Sequence, residues 1–259
     1  MKVLTGDFYH HLFEGEAPRC VALVGAGGKT TTIHTLAGEL VSTGARVVIT
    51  TSTKMHPPED RKLLAGTAEE AAAILKNRPF AYAGIPCNAR KMTGLPEAEF
   101  EKLLAIADCV LVEADGARKR PLKMTATYEP VVPDRADYIV AMAGLDCVGG
   151  ALKEVCHRPE LAAEVLEAGP EHKVGPKDVA ELLRRCYVEN PAVRKAGAGF
   201  VVLLNKAEDA RRLACAEEIA SYLPGVRCLA SAQQARLYGT FVTYSNNLQC
   251  PEKNIHNSP

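Results

Sequence analysis

Short apolar runs rich in β-branched residues alternate along the chain with longer stretches whose apolar residues recur every three or four positions. The runs RCVALV (19–24), ARVVITT (45–51), FAYAGI (80–85), CVLVEAD (109–115), YIVAMAG (138–144), FVVLLN (200–205) and VRCLAS (226–231) predict strands, most of them without the alternation of a half-exposed strand. Between the first two, KTTTIHTLAGELVSTG sets Ile33, Leu36, Ala37, Leu40 and Val41 on one helical face and ends at Gly44, a residue suited to a helix C-terminus. TAEEAAAILKN opens with Thr67 and Glu70 at capping-box spacing, and PEAEFEKLLAIAD starts on Pro96 with acids in its first turn. AEDARRLACAEEIASYL is a long amphipathic run. This order predicts an α/β fold, a mostly parallel sheet flanked by crossover helices.

Residues 145–198 break the rhythm. They are helix-rich, punctuated by Gly and Pro, and hold no convincing strand, so they are expected to form a helical insertion or lid within a single domain spanning 1–259. Residues 245–259 are polar and unpatterned, as expected of a flexible tail.

Composition narrows the function classes. Hydrophobic residues make up 47% and aromatics 5%, with no Trp, so Val, Leu, Ile and Ala must fill the core. Lys+Arg and Asp+Glu both total 31, so no net field draws the chain to nucleic acid or an anionic membrane, and neither is an expected partner. Nine cysteines without a C-x-x-C pair suggest buried thiols in a reducing cytoplasm. Cys147, Cys156 and His157 match no standard zinc spacing. No apolar run approaches the length of a membrane helix, and the N-terminus lacks the pattern of a secretory signal.

The candidate chemistry begins where the first strand breaks into GAGGKTTT. Glycines let the backbone turn tightly and aim several N–H groups inward, and the start of a helix adds partial positive charge. Gly25, Ala26, Gly27, Gly28, Lys29, Thr30 and Thr31 are therefore the expected phosphate loop. Lys29 would reach the terminal phosphates and the Thr30 hydroxyl would join a Mg²⁺ site. The eight-residue G-x-x-x-x-G-K-[ST] form is not met, because position 23 is Leu. The shorter G-x-x-G-K-T-T form is, and it is similar to the loop of Mur-type ligases and related ATPases.

The strand CVLVEAD ends in Glu113 and Asp115, two residues apart and so expected on one face at the ligand edge of the sheet. Asp115 is the expected metal residue, with Thr30 and Thr51, and Glu113 the expected catalytic carboxylate, with Lys29 and Arg118. The loop continues through Arg118, Lys119, Arg120 and Lys123, cations suited to a transferring phosphoryl group. Thr51, Thr53 and His56 follow the second strand, and His157 and Arg158 precede a helix in the insertion. In VVLLNKAED, Asn205, Lys206 and Glu208 resemble a base-reading N-K-x-D motif with Glu in the Asp position and Asp209 displaced by one. LASAQQ (229–234) follows as a candidate backbone loop of the same base pocket. ATP and GTP are both open as ligand.

Taken together, VGAGGKTT, TTST followed by His56-Pro57, LVEADGARKRPLK, YEPVVPD, GLDCVG, HRPE and LLNKAED resemble the YqeC-type family of selenium-dependent hydroxylase accessory proteins, over about residues 20–210. The resemblance implies a P-loop nucleotide-binding protein that helps mature a selenium-dependent molybdenum hydroxylase. It supports Lys29, Thr30, Glu113, Asp115, Arg118 and Lys123 as site residues, and implies a molybdenum hydroxylase client, or its cofactor, as partner. Three readings follow: a Mg²⁺-dependent NTPase timing a maturation step, an ATP-dependent ligase or kinase activating a small acid or cofactor precursor, and a module that senses nucleotide without cleaving it.

Overall fold

The computed structural model describes residues 2–4, 8–13, 18–195, 197–232 and 237–242. The first half of the chain contains β1 (Lys2–Leu4), α1 (Phe8–Leu12), β2 (Cys20–Gly25), α2 (Lys29–Ser42), β3 (Val47–Thr51), β4 (Lys54–Met55), β5 (Leu64–Ala65), α3 (Ala68–Leu75), β6 (Phe80–Ala83), β7 (Ile85–Asn88), β8 (Lys91–Thr93), α4 (Glu97–Ile106) and β9 (Cys109–Glu113). The second half contains β10 (Leu122–Lys123), β11 (Tyr138–Gly144), α5 (Leu152–Val155), β12 (Cys156–His157), α6 (Pro159–Leu166), α7 (Pro176–Leu183), β13 (Gly199–Asn205), α8 (Ala210–Ser221), β14 (Arg227–Ala232) and β15 (Leu237–Val242).

The central sheet runs β1-β15-β14-β13-β11-β2-β9-β3-β6-β5. Its eight strands from β14 to β5 are parallel, and β15 and β1 close one edge in antiparallel pairing. All seven expected strands lie in the parallel part, which is an α/β architecture consistent with a P-loop NTPase-like fold. β2, β3, β11 and β13 are wholly or mostly buried, as their uninterrupted apolar runs require. The short strands β4, β7 and β8 pair in a small antiparallel sheet that the residue pattern does not announce.

The two faces of the sheet are covered differently. Even-numbered β9 residues (Val110, Val112) pack into a large cluster with α3, α4, α7 and α8, whereas Cys109 and Leu111 face a smaller one built on α1 and α2. Residues 145–198 connect β11 to its neighbour β13. They contain α5, α6 and α7, a π-helical turn at Arg184–Val188, and the two-residue strand β12, which pairs with β10 outside the expected all-helical pattern. Leu152, Ala162, Leu182 and Tyr187 of this segment belong to the large cluster, so it is packed onto the sheet.

The local signals at helix ends have physical counterparts. Gly44 adopts φ 90° after α2 and donates its N–H to Val41 O. Thr67 accepts from Glu70 N at 3.1 Å, but the Glu70 carboxylate takes the N–H of Gly66 rather than closing the box on Thr67. Asp209 caps α8 by accepting from Arg212 N at 2.8 Å.

Candidate functional site

Gly25, Gly27 and Gly28 have φ of 94°, 80° and 123°, conformations that L side chains rarely adopt. Close packing adds a second requirement. A Cβ on Gly25 would stand 2.2 Å from Met142 O, and one on Gly27 would stand 2.1 Å from Gly144 N. The loop is laced to its surroundings through Ala26 N to Met142 O at 2.9 Å and Gly27 N to Arg120 O at 3.3 Å. On the other side, the Asn205 amide donates to Gly27 O at 2.9 Å and is itself held by Ser231 Oγ at 3.0 Å. The helix starts at once after Gly28 with no side-chain cap. The first N–H groups of a helix have no carbonyl partner within it, so those at the start of α2 can receive an anion.

Lys29 is buried, and its ammonium donates back to Gly25 O and lies 3.0 Å from Asp115 Oδ1. Asp115 is fully buried beneath the loop. Its Oδ2 accepts from Gly25 N at 2.9 Å and Tyr187 Oη at 3.4 Å, and lies 3.0 Å from Lys123 Nζ. Lys123 in turn lies 2.8 Å from Glu129 Oε2, which Arg158 also contacts, at 2.5 Å. One chain of contacts therefore runs Lys29–Asp115–Lys123–Glu129–Arg158. The buried Lys29 and Lys123 are matched by Asp115 and Glu129, and the half-buried Arg158 adds a third cation at the end of the chain of contacts. Burial and the adjacent Asp115 carboxylate push the Tyr187 hydroxyl well above the usual tyrosine range, so Tyr187 stays a neutral donor.

Glu113 and Asp115 diverge. Glu113 accepts from Thr30 Oγ1 at 3.1 Å at the half-exposed mouth of the site, whereas Asp115 is buried beneath the loop, held by Gly25 N and Lys29 and reached by Tyr187 of the insertion. β9 ends at Glu113, so the two-residue alternation that would give both carboxylates one face no longer governs Asp115. The pair Thr30 and Glu113 offers hard oxygens at the loop mouth, and Mg²⁺ binds through few protein oxygens, completing its shell with phosphate and water. Among the described residues no group of three or more His, Cys, Asp or Glu could hold a metal. Thr51 is buried and donates to Glu113 O at 2.7 Å, fixing the strand end.

Arg118, Lys119 and Arg120 are exposed at the ligand edge. Arg118 and Lys119 hold φ of 46° and 63°, two consecutive left-handed residues at an expected cost of about 1 kcal/mol each. His157 is half-buried on β12 opposite Lys123, and burial together with Arg158, Lys123 and Arg118 lowers its pKa. His56 and Thr53 lie beyond β3; Thr53 N donates to Thr51 Oγ1 at 3.0 Å, while His56 is exposed. At the end of β13, Lys206 adopts φ 66° and pairs with Asp146 at 2.6 Å. Glu208 pairs with Arg212, and Asp209 is spent as the α8 cap. Residues 233–234 of the candidate base loop lie outside the described residues. Tyr187, Glu129 and Asp146 escape sequence reasoning; nothing in RRCYVENP marks its tyrosine as the partner of a carboxylate 72 positions earlier.

The model of the family described as YqeC protein matches residues 21–160, more than half of the chain. The chain belongs to the YqeC protein family. The match takes in the glycine loop, Glu113, Asp115, Lys123 and Arg158, and stops short of Tyr187 and the NKAED segment. The chain is also 29% identical over 174 residues to the Escherichia coli (strain K12) protein described as "Uncharacterized protein YqeC", covering 64% of this chain and 68% of that one. No solved structure matches the chain. No helix among the described residues is long and apolar enough to cross a membrane.

Proposed function

We propose that this YqeC-family chain is a Mg²⁺-dependent nucleoside triphosphate-binding protein and NTPase. Its client would be a selenium-dependent molybdenum hydroxylase, or that enzyme's cofactor, the role its motifs imply. The observation that carries the nucleotide reading is the buried Lys29 ammonium folded over a glycine loop at a helix start without a side-chain cap, held there by the fully buried Asp115. An incoming phosphate would draw Lys29 away from Gly25 O into a charge-assisted contact. Thr30 and Glu113 would hold Mg²⁺ or its waters, and the metal would neutralise charge developing on the terminal phosphate. Asp115 would set the position of Lys29, with Arg118 and Arg120 facing the phosphates from the adjoining loop. Asn205 and Lys206 flank the loop on the side where a base would extend, with ATP and GTP both compatible. The kinase or ligase reading gains support from a cavity that opens beside Thr30, described below.

Calorimetric titration of wild type and Lys29→Ala with ATP, GTP and CTP in the presence of Mg²⁺ tests this. One nucleotide should bind, and Lys29→Ala should weaken it by at least about a hundredfold, near 2.7 kcal/mol. Absence of binding by all three to the wild type would overturn the reading. Glu113→Gln should retain binding and lose turnover; unchanged turnover would remove Glu113 from the chemistry.

A further inference from the structure

Beyond α2, over β3 and β6, lies a cavity of about 820 Å³, the size of a small-molecule site. Val41, Ile49, Met55 and Phe80 give it apolar walls, and Pro57 and Pro58 close it from the loop after β4. Its polar feature is a pair: Tyr82 Oη and His34 Nε2 are 2.7 Å apart. One end opens at Thr30, one helical turn from His34, so the cavity adjoins the loop mouth on the side away from Asn205.

Two further features belong to the same lining. Gly38 sits in the interior of α2, where glycine costs about 1 kcal/mol relative to alanine. A Cβ there would meet nothing within 4 Å, so packing within the chain does not require glycine, yet Gly38 lines the cavity. The lining also contains no Lys or Arg; its ionisable members are His34, His56, Glu59, Asp60 and Tyr82. Burial lowers the His34 pKa and raises that of Tyr82, so both are neutral near pH 7.

We infer that this cavity is a second ligand site, for a planar, uncharged heteroaromatic molecule with N–H or O–H donors. Apolar walls and the Phe80 and Tyr82 rings suit a flat ring system. The His34–Tyr82 pair can read one polar edge of it, and the acids at the rim disfavour an anion. The cavity itself stands independently of the nucleotide reading. Its adjacency to a terminal phosphate rests on that reading, and would make the ring compound the acceptor or companion of the nucleotide.

The test uses the full chain with methyl-labelled Ile and Met, titrated without nucleotide and followed by NMR. The probes are indazole and quinazolin-4-one, against benzoate and quinoline-2-carboxylate. The uncharged rings should shift the Ile49 and Met55 methyl resonances in a saturable way, and the carboxylates should not. Gly38→Leu, at a residue that lines the cavity, should weaken ring binding about tenfold or more while nucleotide binding persists. Tyr82→Phe should keep the apolar contacts but lose discrimination for rings bearing N–H donors. Lys29→Ala should leave ring binding intact, so failure of the phosphate site and failure of this site give different results. Absence of shifts with the uncharged rings, equal response to the carboxylates, or binding that survives Gly38→Leu would overturn the inference.

Discussion

Asp115 is the residue on which the polar cluster turns. A carboxylate with no exposure, touched by two lysines, a tyrosine and a backbone N–H, is stable only because those donors replace its water. Replacing it by Asn keeps the shape and removes the charge, leaving Lys29 and Lys123 with one negative partner fewer. Breaking a buried ion pair in this way costs about 3–5 kcal/mol. Asp115→Asn should therefore lower the urea midpoint substantially, and a loss under about 1 kcal/mol would mean that the lysines find other partners. The importance of Asp115 was legible in the sequence, since a strand ending in acids marks a ligand edge. Its place beneath the loop was not, because Lys123 and Tyr187 reach it from segments whose spacing carries no such signal.

At the scale of elements, three glycines near the same helix separate conformational need from steric need. Gly27 combines φ 80° with backbone 2.1 Å from a would-be Cβ. Gly27→Ala should cost about 3 kcal/mol, the sum of a left-handed penalty and overpacking against β11. Gly44 has φ 90° but open space around it, so Gly44→Ala should cost only about 1–2 kcal/mol. Gly38 has neither constraint, and Gly38→Ala should stabilise by about 0.5–1 kcal/mol. Thermal melts of the three variants check the order; a destabilised Gly38→Ala would show that the helix needs that glycine. The sequence marks Gly27 as a loop glycine and Gly44 as a helix end, but the backbone contact that makes Gly27 the costlier of the two is set by how the loop before α2 meets β11.

Across the whole molecule, stability should depend on pH through histidines rather than surface acids. Burial depresses the pKa of His34 and, with nearby Arg and Lys, of His157. Below about pH 6.5 the unfolded chain then binds more protons than the folded one, so stability falls as pH falls. Asp108, held at about 2 by its pair with Arg46, loses its contribution only below the carboxylate range and lies outside that window. Urea unfolding should give a lower midpoint at pH 5.5 than at pH 7.5, and the double variant His34→Gln, His157→Gln should flatten the difference. A midpoint that rises on acidification would contradict this sign.

The apolar runs alone determined that the chain builds a parallel α/β sheet, and all seven runs became central strands because a strand buried on both faces must be apolar throughout. Gly-Gly-Lys-Thr after a strand likewise determined the tight turn that opens α2, because few residues other than glycine can make it. The NKAED segment promised a base reader, yet Asp209 caps a helix and Glu208 pairs with Arg212, since local donors compete for a carboxylate. Only the tertiary structure decided that Glu113 and Asp115 part company, that Tyr187 and Glu129 join the cluster, and that one face of the sheet keeps a cavity beside Thr30. Those facts depend on residues far apart in sequence meeting in space, and periodicity reports only on neighbours along the chain.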